Sequence, residues 1–206
     1  MKTIHQSYRQ ILGFMLLLSL PVLLSAQNLK TVSDLTFTAG SGKKVSLTNL
    51  TDNSNVAVII VTSSHCSWAG KYEARLSGLY KKYKAKGVTF LAVNSNDASV
   101  STSDALARIS AQSPFPFPYL KDEDQGAAKA LGATKNPEAF VLRKKRSESG
   151  QARYQIMYMG KVDDNPLDAN MAKEKYLDLA IASALAGKAP ATQKTAANGC
   201  NIKWKH

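Results

Sequence analysis

Residues 56–83, VAVIIVTSSHCSWAGKYEARLSGLYKKY, limit what this chain can fold into more than any other stretch. Residues 56–62 form an unbroken apolar and β-branched run, short enough to be a strand buried on both faces. The period then changes. Trp68, Tyr72, Leu76, Leu79, Tyr80 and Tyr83 share one helical face, while Lys71, Glu73, Arg75, Lys81, Lys82 and Lys84 fall elsewhere. Between the two halves sits Ser63-Ser64-His65-Cys66, which places Cys66 at the carboxyl end of a central strand and in the first turn of a helix. Unpaired amide N–H groups there favour an anion, and a thiolate is an anion. Chemistry is expected at Cys66.

Residues 1–26 read as a secretory signal peptide: a basic start (Lys2, Arg9), an apolar core over 11–24 and a small-residue end at Ser25-Ala26. The apolar core is short for a membrane span. Leu24 stands where a small residue is usual, which leaves an uncleaved anchor as the alternative. Export to the periplasm or the extracellular space is expected, with no stable membrane insertion after cleavage. Loss of residues 1–26 removes two basic and no acidic residues, so the formal charge of +12 falls to +10. Basic clusters at 81–86, 143–146 and 203–205 read as solvated faces, and no nucleic-acid partner is expected for an exported chain. Two cysteines, Cys66 and Cys200, permit one disulfide in an oxidising compartment. His65 is the one histidine near a cysteine, without ligand spacing, so no metal site is expected. No phosphate loop, dinucleotide fingerprint or internal repeat is present, and no cofactor is implied.

In chain order, residues 35–38 and 45–47 read as short alternating strands and 48–55 as a polar loop. The organising strand follows, with one helix of about 20 residues closed near Gly87. Residues 88–93 are a second buried strand, parallel to the first because a helix separates them. Asn94, Asn96 and Asp97 then lie beside Cys66, where turn chemistry accounts for them. A helix is expected over 103–112 with Leu106 and Ile109 inward, then an extended proline-rich segment from Phe115 to Leu120. A short helix over 124–131, capped by Asp122 or Asp124, ends at Gly132. Residues 136–142 form a strand opened by Pro137, 143–150 a charged hairpin turn, and 152–159 the returning strand. The last helix spans 173–186 with Leu177, Ala180, Ile181, Ala184 and Leu185 inward. These elements make one domain over 27–187 and a tail over 188–206 without periodicity. Their order, with a thiol at the first crossover, describes an α/β, thioredoxin-like fold: a central mixed sheet with helices on both faces.

The motifs SSHCSW (63–68), GVTFLAVNSND (87–97), FPFPYLKDEDQGAAKALGA (115–133), Asn136-Pro137, GKVDD (160–164) and GCNIKW (199–204) together resemble the peroxiredoxin-like redoxins, exported relatives of the alkyl hydroperoxide reductase/thiol-specific antioxidant family. The resemblance implies that Cys66 is the reactive cysteine, that the bond before Pro137 is cis and lines the same site, and that the tail cysteine returns to it. The chain departs from the pattern at Ser63, where the group usually carries a cysteine, and at Lys135-Asn136, where it often carries Cys-Thr.

Cys66, Cys200, Ser63 and Pro137 are therefore the candidate catalytic residues, with His65, Trp68 and Asn136 lining the site. Ser63 either bonds the thiolate or caps the helix. His65 either lowers the thiol pKa or is an exposed turn residue. Cys200 either resolves a sulfenic acid on Cys66 or staples the tail. The expected function is a thiol-dependent oxidoreductase that reduces a peroxide or exchanges with a disulfide and needs an external thiol reductant. The alternative is a redox-silent binding module with Cys66–Cys200 as a structural disulfide.

Overall fold

The structure, a computed structural model, describes residues 30–146 and 150–206. The signal expected over 1–26 lies outside them, as does the tip of the charged turn at 147–149. Every residue of β4 (Val56–Val61) is buried. Val56, Val58 and Ile60 face one core, and Ala57, Ile59 and Val61 face the other. A strand covered on both sides has no polar face to show, hence the unbroken apolar run.

β4 lies between parallel β5 (Val88–Asn94) and antiparallel β8 (Glu138–Arg146). β6 (Tyr119–Lys121) continues parallel beyond β5, and β9 (Ala152–Gly160) runs antiparallel to β8. With β1 (Thr31–Val32), β2 (Thr36–Thr38) and β3 (Lys44–Ser46) the order is β1-β9-β8-β4-β5-β6-β2-β3. α3 (Glu73–Tyr83), α4 (Leu106–Ala111) and α6 (Tyr176–Leu185) cover one face, and α1 (Leu47–Leu50) and α5 (Gly126–Leu131) the other. This is the expected mixed sheet of a thioredoxin-like fold, with helices on both faces. Among the described residues no helix is long and apolar enough to cross a membrane.

Several local expectations are corrected. The single helix after Cys66 is broken into α2 (Ser67–Gly70), two linking residues, α3 and a 3-10 turn, Lys84–Lys86. Gly70 weakens the helix where it breaks, and the break lets Tyr72 bury its ring under the Arg75 guanidinium, 4.4 Å from the ring centroid. Gly87 closes the segment in the left-handed region, φ 73°. The helix expected over 103–112 is a 3-10 turn, Thr102–Asp104, followed by α4. Leu47, expected to end a strand, and the first residues of the expected loop over 48–55 form α1, whose Asn49 N–H is capped by the Ser46 hydroxyl at 3.2 Å. β8 continues through the basic residues expected to turn, because Arg143 pairs with Val56 and Lys144 N donates to Asn55 O at 2.9 Å. α6 begins at Tyr176, since Asp164 Oδ1 captures the Lys173 and Glu174 N–H groups, and Leu185 is exposed rather than inward. The tail has order of its own. Lys194 bridges Met159 in parallel, and β10 (Cys200–Asn201) pairs antiparallel with β7 (Lys135–Asn136).

Candidate active site

Cys66 is 3% exposed and is the N-cap of α2. Its own carbonyl accepts the Ala69 and Gly70 N–H groups, at 2.8 and 3.4 Å. The long helix starts only at Glu73, so the amides facing Cys66 belong to a single short turn and not to the 20-residue dipole expected from sequence. Its sulfur is bonded to Cys200, with Cα atoms 6.1 Å apart, an ordinary disulfide span. Cys66 Sγ also lies 3.0 Å from the Asn136 carbonyl oxygen. A thiol donates S–H to that oxygen; the disulfide carries no hydrogen, and only the contact persists. The Asn136–Pro137 peptide is cis, as the resemblance implied. β10 sets Cys200 opposite Asn136. Gly199 is required for this approach, because a Cβ there would sit 2.0 Å from the Asn136 oxygen.

Behind the bridge lies a buried polar network of which composition gave no hint. Asn136 Nδ2 donates to Asn96 Oδ1 at 3.1 Å, and the Lys203 N–H of the tail donates to the same oxygen at 2.9 Å. Asn96 Nδ2 and Asn94 Nδ2 donate to the two carboxylate oxygens of Asp104, at 3.1 and 2.7 Å. Lys121, 2% exposed, donates to Asn94 Oδ1 at 3.2 Å and to the Asn96 carbonyl. Burial pushes the Lys121 pKa below the usual lysine value, against the attraction of Asp104 and Glu123. A buried cation and a buried carboxylate are thus joined through two asparagines, which satisfies charges that would otherwise be costly to bury. The Tyr119 hydroxyl oxygen accepts from Asn94 Nδ2 at 3.3 Å, and burial raises the Tyr119 pKa.

The structure brings Cys66, Cys200, Asn136 and cis-Pro137 together. Ser63 is buried in the same turn, but its hydroxyl does not cap the helix and has no protein partner among the described residues; Asn136 Oδ1 is in the same position. His65 is exposed. Its Nδ1 lies 3.1 Å from Asp104 Oδ2 and 3.2 Å from Ser103 Oγ, so the ring is held by those groups rather than hydrogen-bonded to the sulfur. Trp68 is half-buried on α2, and Trp204 packs on the core of the second sheet face. Asn94 and Asn96 do form the turn expected of them, Asn96 N donating to Asn94 Oδ1 at 3.0 Å. They also carry the network, which turn chemistry alone did not disclose. Asp104 and Lys121 were missed altogether. The one sequence signal was a lysine ending the apolar block FPFPYL.

A cavity of about 130 Å³ opens beside Ser63 and Ser64, bounded by Glu73, Phe115 and Tyr119. Burial raises the Glu73 pKa there. A larger cavity of about 230 Å³, between α3 and α6, is lined by the Arg75–Asp163 ion pair and lacks Cys66. Among the described residues no group of three His, Cys, Asp or Glu is placed to hold a metal ion.

Residues 29–147, more than half of the chain, match the AhpC/TSA family. No curated protein matches. Among solved structures, the chain is similar to a hypothetical protein from Sinorhizobium meliloti 1021, at 27% identity and TM-score 0.73 over 88% of this chain and 96% of that one. It is similar to an uncharacterized conserved protein from Geobacillus kaustophilus at 28% identity and TM-score 0.73, over 86% of this chain and 92% of that one. A candidate thiol:disulfide interchange protein DsbE from Chlorobium tepidum shares the fold at 23% identity and TM-score 0.51, over 76% and 99%.

Proposed function

Because the chain belongs to the AhpC/TSA family, we propose that it is an exported thiol-dependent peroxidase in which Cys66 is oxidised and Cys200 resolves the product. The reading rests on one observation above the others. The Cys66–Cys200 bridge lies across the cis Asn136–Pro137 peptide, in the same turn as the buried Ser63 hydroxyl, which has no hydrogen-bond partner among the described residues. A hydroxyl free to donate to a thiolate favours a thiol that ionises.

The steps balance without a cofactor. The Cys66 thiolate attacks one oxygen of a hydroperoxide; the O–O bond breaks, a Cys66 sulfenic acid forms, and an alcohol or water leaves after protonation. The Cys200 thiol attacks the sulfenic sulfur, the S–S bond forms and water departs. An external thiol then attacks Cys200, which is half-buried where Cys66 is fully buried, and releases Cys66 as thiolate. A second external thiol frees Cys200, and the reductant leaves as a disulfide. Exchange with a disulfide, the other reaction expected of such a thiol, would use the same attacking sulfur. Export follows from the signal read in residues 1–26, and the site residues are Cys66, Cys200, Ser63 and Pro137, with Asn136 lining the sulfur.

The second reading, a redox-silent module, draws on Ser63 in place of a cysteine and on the ordered docking of the tail. Alkylation and mass spectrometry on reduced protein given one equivalent of hydrogen peroxide separate the two. The enzyme reading expects fast alkylation of Cys66 at neutral pH and conversion to the Cys66–Cys200 bridge. Cys200→Ser is expected to stop at a sulfenic acid trapped by dimedone, and Cys66→Ser to abolish peroxide consumption. Turnover that survives Cys66→Ser would show this mechanism to be wrong.

A further inference from the structure

The tail is held at two places that do not involve sulfur. Upstream of Cys200, Met159 N donates to Gln193 O and Thr195 N to Met159 O, both at 3.0 Å, and the Thr195 hydroxyl meets Tyr158 OH at 2.7 Å and accepts Lys161 N–H at 2.9 Å. Downstream, buried side chains read the tail's main chain. Asn96 Oδ1 accepts the Lys203 N–H at 2.9 Å. Gln125 Nε2 donates to Lys203 O at 2.8 Å, and Gln125 Oε1 accepts the Lys205 N–H at 2.8 Å. The Asp97 N–H also donates to Lys203 O at 2.8 Å, and Ile202 is buried in the core.

Asn96 and Gln125 are 2% and 1% exposed, and neither is free to turn away. Asn96 is fixed by Asp104 and Asn136, and Gln125 Nε2 donates also to Ser95 O at 2.7 Å. Groups already oriented before the tail arrives lose little freedom when it binds. A freely moving tail would present Cys200 at an effective concentration on the order of millimolar, and a docked one presents it continuously.

We propose that Asn96 and Gln125 form a receptor that keeps the tail docked in the dithiol state, and that the docked tail limits the oxidant at Cys66 to small hydroperoxides. The proposal rests on Cys66 being the reactive thiol. A disulfide carried on a protein would have to lay its own chain where β10 pairs with β7, and the tail lies so near the Asn136–Pro137 peptide that not even a Cβ fits at Gly199. A hydroperoxide asks only for the space left when the two sulfurs separate. Asn96 and Gln125 act as positioning residues through Cys200 and through the strand that covers Cys66.

The test uses the full chain, reduced with dithiothreitol, as wild type, Asn96→Ala and Gln125→Ala. Hydrogen exchange is followed at the tail amides of Ile202, Lys203 and Lys205, with Val58 and Leu91 in the central strands reporting that each variant is folded. Rates of Cys66 oxidation are measured with hydrogen peroxide and with disulfide-bonded insulin. In reduced wild type the tail amides are expected to stay protected. Gln125→Ala should free the Lys205 amide and Asn96→Ala the Lys203 amide. The ratio of the peroxide rate to the insulin rate should fall by about tenfold or more in each variant, the size expected for losing one or two hydrogen bonds. Reduced wild type whose tail amides exchange at free-peptide rates, or a ratio unmoved in both variants, overturns the receptor. Protected tail amides with Cys66 inert to both probes sustain the receptor and defeat the reactive-thiol reading.

Discussion

Ser63 carries a hydroxyl that is buried and has no partner among the described residues while Cys66 is bridged. A buried polar group in that state costs roughly 1–3 kcal/mol, and the free Cys66 thiolate of the reduced protein can accept its proton. Ser63→Ala is therefore expected to leave the oxidised protein as stable as before or more stable by about 1 kcal/mol in urea unfolding. The same change should raise the Cys66 thiol pKa in the reduced protein, read from the pH dependence of alkylation. An unmoved alkylation profile would mean that the hydroxyl is not directed at the sulfur. Which residues surround Cys66 was only partly legible at this scale. Asn136 and Pro137 could be named from their motif, whereas Asp104 sits in an ordinary Ser/Thr-rich stretch. Its role exists only because Asn94 and Asn96 reach it from another strand end, and no local pattern encodes that reach.

Elements were easiest to read where burial sets the period. β4 is apolar throughout and β5 is so over Phe90–Val93 because both faces are covered there, and α6 shows its inward Leu177, Ala180, Ile181 and Ala184 at helical spacing. The break between α2 and α3 leaves the same helical face in the sequence, since Tyr72, Leu76 and Tyr83 are inward either way. Tail order was invisible, because the tail is bound mostly through its own main-chain atoms, which every residue type supplies. Its upstream anchor depends on Gly160, whose φ is 137°, in the region glycine favours, and where a Cβ would lie 2.2 Å from Thr195 Oγ1 and 2.3 Å from Thr195 O. Gly160→Ala should therefore lower unfolding free energy by about 2 kcal/mol or more and expose residues 188–199 to protease. Urea unfolding together with limited proteolysis checks both, and an intact tail at unchanged stability would contradict the clamp.

Across the whole molecule, charge and burial meet at Tyr72. Burial, and then the Asp163 carboxylate, push its pKa from 10.0 up to about 12, while Arg75 pulls it back. Burial raises the Tyr158 pKa as well. A pKa raised on folding contributes stability that is complete below the unfolded value and lost as pH climbs through the folded one. The protein should therefore weaken between about pH 10 and 12, and Tyr72→Phe should flatten that fall by close to one proton in the slope of unfolding free energy against pH. An identical slope would place the loss elsewhere. The sequence by itself determined the sheet's centre, the parallel β4–β5 pair and the position of Cys66 at the mouth of the first crossover. Each of these follows from hydrophobic period and chain connectivity, which are local properties. Only the tertiary structure decided how the tail docks, that Gly199 admits it onto the cis peptide, and that Asn96 joins the tail to Asp104 and Asn136. Those contacts join residues up to 107 positions apart, and their energy comes from orientation within a dry interior, which no stretch of sequence specifies alone.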